Sequence, residues 1–224
     1  MKTTLIAFST LLLTINISAQ QQPAELSSPF DTLQYSLGVF VGQWLTNNSF
    51  TVTNIELFNR GMSDILQNNP RAITDSTIAP LIASYQLSTQ NEKSRQMETQ
   101  LFDELRGKAG VGALPNGVHY MVMNAGSGIR PTANDSIVIN AIGVFPDGTL
   151  FEDTYQKGQP INIITSNLIP GLNEAIQLMP EGSKWRIFIP SALAYGTAGI
   201  PDLIPPNTAL VFEITLERVK VNIE

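Results

Sequence analysis

The stretch "LIPGLNEAIQLMPEGSKWRIFIP" (residues 168–190) predicts a short helix, a turn and a strand in close succession. Pro170 suits the first turn of a helix, where its missing N–H leaves no hydrogen bond unmade. The apolar residues that follow share one side of this helix: Leu172, Ala175, Ile176 and Met179. "PEG" at 180–182 marks a turn, and "KWRIFI" at 184–189 is typical of a strand. We therefore expect one helix to pack its apolar side against a sheet.

Runs with period two lie on both sides of this stretch and supply the other strands. They are "VHYMVM" (118–123), "SIVINAIG" (136–143) and "INII" (161–164), separated by turns rich in glycine. The last run is the clearest: one face carries Leu210, Phe212, Ile214 and Leu216, and the other carries Glu213, Thr215 and Glu217. This alternation predicts an antiparallel sheet with one face covered by the helix and the other in solvent.

The N-terminal half predicts helices before any strand. "PFDTLQYSLGVFVGQWLTNN" (29–48) has apolar residues at helical spacing, and a second helix fits residues 54–69, with Asn54 as its cap. Gly38 and Gly42 lie four residues apart on the first helix, although each costs up to about 1 kcal/mol in helix propensity. We interpret the two glycines as a place where another helix packs closely. The alternative is that both are tolerated without a role in packing.

A third helical region spans about 76–106 and leads into the glycine-rich "RGKAGVGALPNG" (106–117), which is typical of a linker. The helix is apolar at both ends but polar through "STQNEKSRQ" (88–96), so we expect its middle to cross solvent. Pro80 predicts a late start or a kink. The predicted organisation is a signal peptide at 1–19, a helical module at 20–73, a connecting helix and linker at 74–111, and a sheet domain at 112–224.

The first residues, "MKTTLIAFSTLLLTINISA", place one lysine before a short apolar run that ends in small residues. This pattern predicts a secretory signal peptide cleaved after Ala19. A membrane anchor is the alternative, but the apolar run is interrupted by polar residues and is shorter than the roughly 20 residues a span needs. The chain has no cysteine, so it has neither disulfides nor the thiol of a lipid anchor. We expect a soluble protein of the periplasm or cell envelope.

The composition excludes several classes of function. The formal charge is −6, which argues against nucleic acid as a partner. Without cysteine, and with His119 as the single histidine, Cys–His catalysis and a His-rich metal site are excluded. We expect His119 to lie on a strand facing solvent, and the adjacent Glu152 and Asp153 to point apart. No metal or cofactor is predicted.

Three segments, "DGTLFED" (147–153), the opening stretch (168–190) and "LAYGTAGIPDLIPPNTALVFEI" (193–214), resemble in sequence and order the FKBP family of peptidyl-prolyl isomerases. The resemblance covers roughly residues 115–220. The N-terminal half, including "YSLGVFVG", is similar to the dimerisation module of Mip-like and FklB-like bacterial FKBPs. Together these resemblances imply an α+β chain whose C-terminal part, at 112–224, is a five-stranded antiparallel half-barrel wrapped on one helix. They also imply a homodimer in which the first two helices entwine with a partner chain.

The resemblance also implies a pocket between the helix and the sheet. Residues expected to act in catalysis are Tyr195, Phe151, Glu152, Ile169 and Phe212, and those expected to bind substrate are Ala141, Ile161, Leu168, Leu172, Leu203 and Ile204. The Tyr195 hydroxyl and the backbone N–H of Ile169 would each hold a substrate carbonyl. Leu172 would form the floor, and Leu203 and Ile204 belong to an overhanging loop.

Four of these positions depart from the usual family pattern. Ala141 replaces a tyrosine, Leu172 replaces a tryptophan, Ile161 replaces an aromatic wall residue, and Glu152 stands where aspartate is commoner. Two functions therefore stay open. The first is an exported, dimeric prolyl isomerase that binds X-Pro segments of client polypeptides and assists their folding. The second is a weakly catalytic or non-catalytic binding module. The presence of Tyr195 and Phe212 favours the enzyme.

Overall fold

The structure is a computed structural model that describes residues 23–222. The chain divides into two compact units, Met1–Thr51 and Val52–Glu224. The signal peptide predicted at residues 1–19 lies outside the described residues. No helix in the described part of the chain is long and apolar enough to cross a membrane.

Helix α1 (Pro29–Asn47) is the regular element described in the first unit. Its N-terminus matches the sequence expectation, because Pro29 occupies the first turn and the Ser28 hydroxyl accepts a hydrogen bond from the Asp31 N–H at 3.1 Å. No residue of α1 is buried within the chain. Its exposed apolar side chains include Phe30, Leu33, Leu37, Phe40 and Trp44.

The second unit begins with two helices, α2 (Ile55–Leu66) and α3 (Asp75–Leu105). Asn54 caps α2 as expected, its side-chain oxygen accepting from the Leu57 N–H at 2.9 Å. Helix α3 begins before Pro80 and continues through it, so the expectation of a late start is wrong. The loss of one backbone hydrogen bond at Pro80 is tolerated within a helix of 31 residues.

A single antiparallel sheet follows. Among the described residues it has seven strands in the order β1-β2-β6-β7-β3-β4, with β5 also paired to β3. The strands are β1 (Gly112–Ala113), β2 (His119–Asn124), β3 (Ser136–Val144), β4 (Leu150–Asp153), β5 (Ile161–Ile164), β6 (Lys184–Ile189) and β7 (Leu210–Lys220). The number of strands exceeds the expected five for two reasons. The two-residue β1 is counted as a strand, and two short strands, β4 and β5, pair separately with β3.

The strand–helix packing predicted from residues 168–190 is present. Helix α5 (Pro170–Ile176) packs against one face of the sheet and is shorter than the predicted apolar run. A four-residue helix that the sequence did not suggest, α4 (Thr154–Lys157), precedes it. Residues of α5 and the sheet form one buried core: Leu172, Ala175, Ile176, Ile187, Ile189, Leu210, Ile214 and Leu216. Each large aliphatic side chain there contributes about 1.5–3 kcal/mol by burial.

Gly171 allows α5 to approach β6 closely. A Cβ atom at this position would lie 2.4 Å from the Cγ2 of Ile189, well inside van der Waals contact. Any side chain at position 171 would therefore push the helix away from the sheet. Gly171 therefore sets how closely Leu172, the next residue, approaches the sheet.

The opposite face of the sheet is not fully exposed, contrary to the sequence expectation. Leu105, at the end of α3, forms a second buried cluster with Phe188 of β6 and Val211 of β7. His119 is likewise half-buried and does not face solvent, because its ring packs on Phe102 of α3 at 5.3 Å between centroids. The C-terminal part of α3 is thus integral to the sheet domain.

Candidate active site

A pocket of about 340 Å³ lies between α5, the face of the sheet that α5 covers and the loop 191–208. All eleven residues that the family pattern selects line it: Ala141, Phe151, Glu152, Ile161, Leu168, Ile169, Leu172, Tyr195, Leu203, Ile204 and Phe212. They come from segments up to 71 positions apart in the chain, since Ala141 and Phe212 are both included. The fold therefore gathers in one place every side chain that the resemblance had selected.

Five further residues line the pocket and were not selected: Ile139, Ile163, Asn167, Ile200 and Ile214. Three of them could have been found, because side chains two positions apart on a strand share one face. Ile139 lies two residues before Ala141, Ile163 two after Ile161, and Ile214 two after Phe212. Asn167 ends a three-residue 3-10 helix and Ile200 lies in the loop 191–208, and the period of a strand applies to neither.

Aromatic rings form one wall of the pocket. Phe151 and Phe212 meet edge to face, with centroids 5.5 Å apart and an interplanar angle of 87°. Gly143 makes room for this pair, since a Cβ atom there would lie 2.6 Å from the ring of Phe151. The wall is therefore rigid and apolar, and its rings are held by packing on both sides.

The three smaller residues change the composition of the pocket. With alanine at 141, isoleucine at 161 and leucine at 172, its aromatic lining consists of Phe151, Phe212 and Tyr195. The Ala141 N–H donates to the hydroxyl of Thr154 at 2.9 Å, and that hydroxyl donates to the Asn140 side-chain oxygen at 2.9 Å. This buried chain of hydrogen bonds fixes the backbone of β3 beneath the pocket.

Hydrogen-bond donors face the pocket from two sides. Tyr195 keeps 37% of its surface exposed at the rim. Ile169 precedes α5, and no described residue accepts a hydrogen bond from its backbone N–H. Because an apolar pocket leaves few acceptors for these groups, they are suited to bind the carbonyl oxygens of a peptide.

The loop 191–208 is folded on itself above the pocket. The Gly196 N–H donates to the Ser191 carbonyl at 2.9 Å, and the Gly196 carbonyl accepts from the Asn207 N–H at 2.8 Å. An isolated bridge joins Ile200 and Ile204. Ile204 is buried, at 3% exposure, whereas Leu203 is half exposed at the tip.

The carboxylates near the pocket do not act as a pair. Glu152 lines the pocket and accepts a hydrogen bond from Lys157 Nζ at 2.6 Å. Asp153 turns away and caps α4, accepting from the N–H groups of Tyr155 and Gln156. In the part of the chain that the structure describes, no three acidic or histidine side chains cluster in a way that could hold a metal ion.

Family models match both halves of the chain. A model described as "FKBP-type peptidyl-prolyl cis-trans isomerase" matches residues 128–217, and one described as "Domain amino terminal to FKBP-type peptidyl-prolyl isomerase" matches residues 30–122. Peptidyl-prolyl cis-trans isomerase Mip of Coxiella burnetii is 32% identical over 209 residues, covering 87% of this chain and 89% of that protein. The chain belongs to the FKBP-type peptidyl-prolyl cis-trans isomerases.

Other similar proteins extend this FKBP assignment to most of the chain. Outer membrane protein MIP of Legionella longbeachae is 30% identical over 212 residues, covering 90% of this FKBP and 91% of that protein. The crystal structure of FkpA from Escherichia coli has a TM-score of 0.61 and 25% identity, covering 88% of this chain and 99% of that one. A peptidyl-prolyl isomerase structure from Pseudomonas syringae is 37% identical, with a TM-score of 0.54, covering 58% and 96%.

Proposed function

We propose that the 340 Å³ pocket binds the prolyl ring of X-Pro segments and catalyses rotation about the preceding peptide bond. The observation that carries this proposal is the convergence of apolar walls with two donors for which no described residue is the acceptor, the Tyr195 hydroxyl and the Ile169 N–H. The pocket offers burial to an apolar ring and hydrogen bonds to the carbonyls beside it. These are the features that an X-Pro segment can use.

The reaction requires neither a nucleophile nor a metal. Rotation about an X-Pro bond meets a barrier of about 18–20 kcal/mol because amide resonance must be broken, yet no covalent bond is cleaved. Resonance separates charge across the amide, so water stabilises the planar ground state more than the twisted transition state. A water-poor pocket reverses this preference, and fixed donors then select the twisted geometry.

Each part of the pocket has a distinct task in this mechanism. Phe151 and Phe212 form a rigid wall for the prolyl ring, and Leu172 closes the floor. The Tyr195 hydroxyl and the Ile169 N–H each donate a hydrogen bond to a substrate carbonyl. Glu152, held in place by Lys157, supplies a fixed polar group beside Phe151.

The substrates that we propose are exported polypeptides in the cell envelope. Unfolded chains hold roughly 10–30% cis at X-Pro bonds and exchange over tens to hundreds of seconds, which limits folding after export. The predicted signal peptide and the similarity to a protein named for the outer membrane support this location. We also propose a homodimer formed by the helices of residues 20–73, and an isomerase domain at 112–224 joined to them by residues 74–111.

The test is a proline-limited refolding and peptide isomerisation assay on residues 20–224. Tyr195→Phe removes one donated hydrogen bond, so kcat/KM should fall about tenfold, which corresponds to about 1.4 kcal/mol. Tyr155→Phe is the matched control, because Tyr155 is exposed and bonds to Thr215 outside the pocket. An isomerisation rate no greater than background in the wild type would contradict the proposal. Suppression of client aggregation without isomerisation would favour a binding module.

A further inference from the structure

The middle of α3 contacts the loop above the pocket through polar side chains. The Glu98 carboxylate accepts from the Ser191 N–H at 3.2 Å, and the Asn91 side-chain oxygen accepts from Asn207 Nδ2 at 3.2 Å. Between them, the hydroxyl of Ser94 lies 3.1 Å from that of Thr208. The expectation that residues 88–96 cross solvent is therefore wrong at Asn91 and Ser94.

These three helix positions form one stripe, because residues three and four apart lie on the same side of a helix. Ser94 is buried, at 4% exposure, although it is a polar residue within a polar segment. The stripe continues through Leu101 to the buried Leu105, which packs on Phe188 and Val211. The apolar contacts thus hold α3 against the sheet, while the polar contacts fall on the two ends of the loop.

The two anchored ends of the loop converge on one residue, Gly196. Ser191 accepts from the N–H of Gly196, and Asn207 donates to the carbonyl of Gly196. Gly196 directly follows Tyr195 in the chain. Two short paths therefore run from α3 to the residue beside the proposed carbonyl-binding tyrosine: Glu98 to Ser191 to Gly196, and Asn91 to Asn207 to Gly196.

We infer that α3 clamps the pocket loop and that Asn91, Ser94 and Glu98 are positioning residues for isomerisation. They touch no substrate and act by holding both ends of the loop so that Tyr195 meets the twisted peptide bond without reorganisation. The catalytic part of this inference rests on the proposed function. The clamp itself does not, and it is tested separately.

The activity test uses the double variant Asn91→Ala/Glu98→Ala in the full exported chain. We expect kcat to fall about five- to tenfold with KM changed less than about twofold, because a displaced Tyr195 loses interactions made in the transition state. Glu98→Gln should recover most of the loss caused by Glu98→Ala, since its amide oxygen can accept from the same N–H. Glu104→Ala is the control, because Glu104 is exposed on the same helix and bonds to Gln100.

The second measurement does not depend on activity. Amide hydrogen exchange at Gly196 and Asn207 should accelerate about tenfold in the double variant, while amides of β6 and β7 keep their protection. If the wild type isomerises and the double variant matches it in kcat, the inference is wrong and the proposed function stands. If the wild type is inactive, the exchange measurement decides by itself. Faster exchange at Gly196 in the double variant supports the clamp, and unchanged exchange overturns it.

Discussion

Phe212 belongs both to the hydrophobic core and to the wall of the pocket. It is 7% exposed, packs edge to face on Phe151, and lines the cavity with it. Because the pocket is an indentation of the core, the stability of the domain and the binding of a prolyl ring depend on the same side chain. A substitution of Phe212 therefore affects both the stability of the domain and the binding of the prolyl ring.

Phe212→Ala should therefore lower stability and activity together. Truncating a buried phenylalanine costs about 3–5 kcal/mol in the free energy of unfolding. The loss of the wall should raise KM as well as lower kcat. Urea unfolding and steady-state isomerisation measure the two effects, the latter at a temperature where the variant stays folded. Phe212→Leu is the graded control, and a Phe212→Ala protein with normal KM would contradict the proposed wall.

Asp135 should make the domain sensitive to acid. It is buried, and the Thr132 N–H, the Thr132 hydroxyl and the Asn222 N–H hold the pKa of its carboxyl below its ordinary value. Because the ionised form is favoured in the folded state, this stabilisation is complete above the unfolded pKa of about 3.9 and is lost as pH falls through the lower folded pKa. Asp135 thus ties the start of β3 to the end of the chain.

Asp135→Asn removes that charge without changing the size of the side chain. We expect a lower free energy of unfolding at about pH 7 and a smaller difference from the wild type at about pH 3. Urea titrations at the two pH values measure it. Glu92→Gln, an exposed carboxylate on α3, is the control and should leave the pH dependence unchanged. A difference that stays constant with pH would show that the contribution is not one of charge.

At the scale of elements, the sequence predicted the helices and strands whose apolar residues recur at a regular spacing. The alternation in 210–217 predicted β7, and the spacing after Pro170 predicted α5. The same alternation did not predict that Val211 is buried. Val211 lies on the outer face of the sheet and is buried by α3, an element more than 100 positions earlier in the chain. The polar clamp at Asn91 and Glu98 could not be predicted either, since pairing between distant polar side chains leaves no periodic signal.

The docking of α3 should depend on its last turn. Leu105→Ala removes a buried side chain from contact with Phe188 and Val211 and should cost about 2–5 kcal/mol. Leu87→Ala is the matched control on the same helix, because Leu87 is 53% exposed and should cost less than about 0.5 kcal/mol. Urea unfolding of the sheet domain measures both. A loss below about 0.5 kcal/mol for Leu105→Ala would mean that this contact of α3 contributes nothing measurable to the stability of that domain.

At the scale of the whole molecule, α1 presents more apolar surface than a monomer needs. Phe30, Leu33, Leu37, Phe40 and Trp44 are each at least half exposed. A Cβ atom at Gly38 or Gly42 would meet no atom within 4 Å. Contiguous exposed apolar surface of this kind marks an association site. The proposed homodimer would cover it with a second copy of the chain, since symmetric pairing buries the same surface on both partners.

Gly42→Leu should therefore shift the proposed dimer to a monomer. The substitution raises helix propensity by about 1 kcal/mol, so dissociation would not result from loss of the helix. It would result from a side chain placed where the two copies of α1 approach in the proposed dimer. Deletion of residues 29–70 should give a monomer too. Gln96→Leu, which adds the same side chain to an exposed position on α3, should stay dimeric. Light scattering measures the mass, and an unchanged mass for both Gly42→Leu and the deletion would refute the proposed dimer.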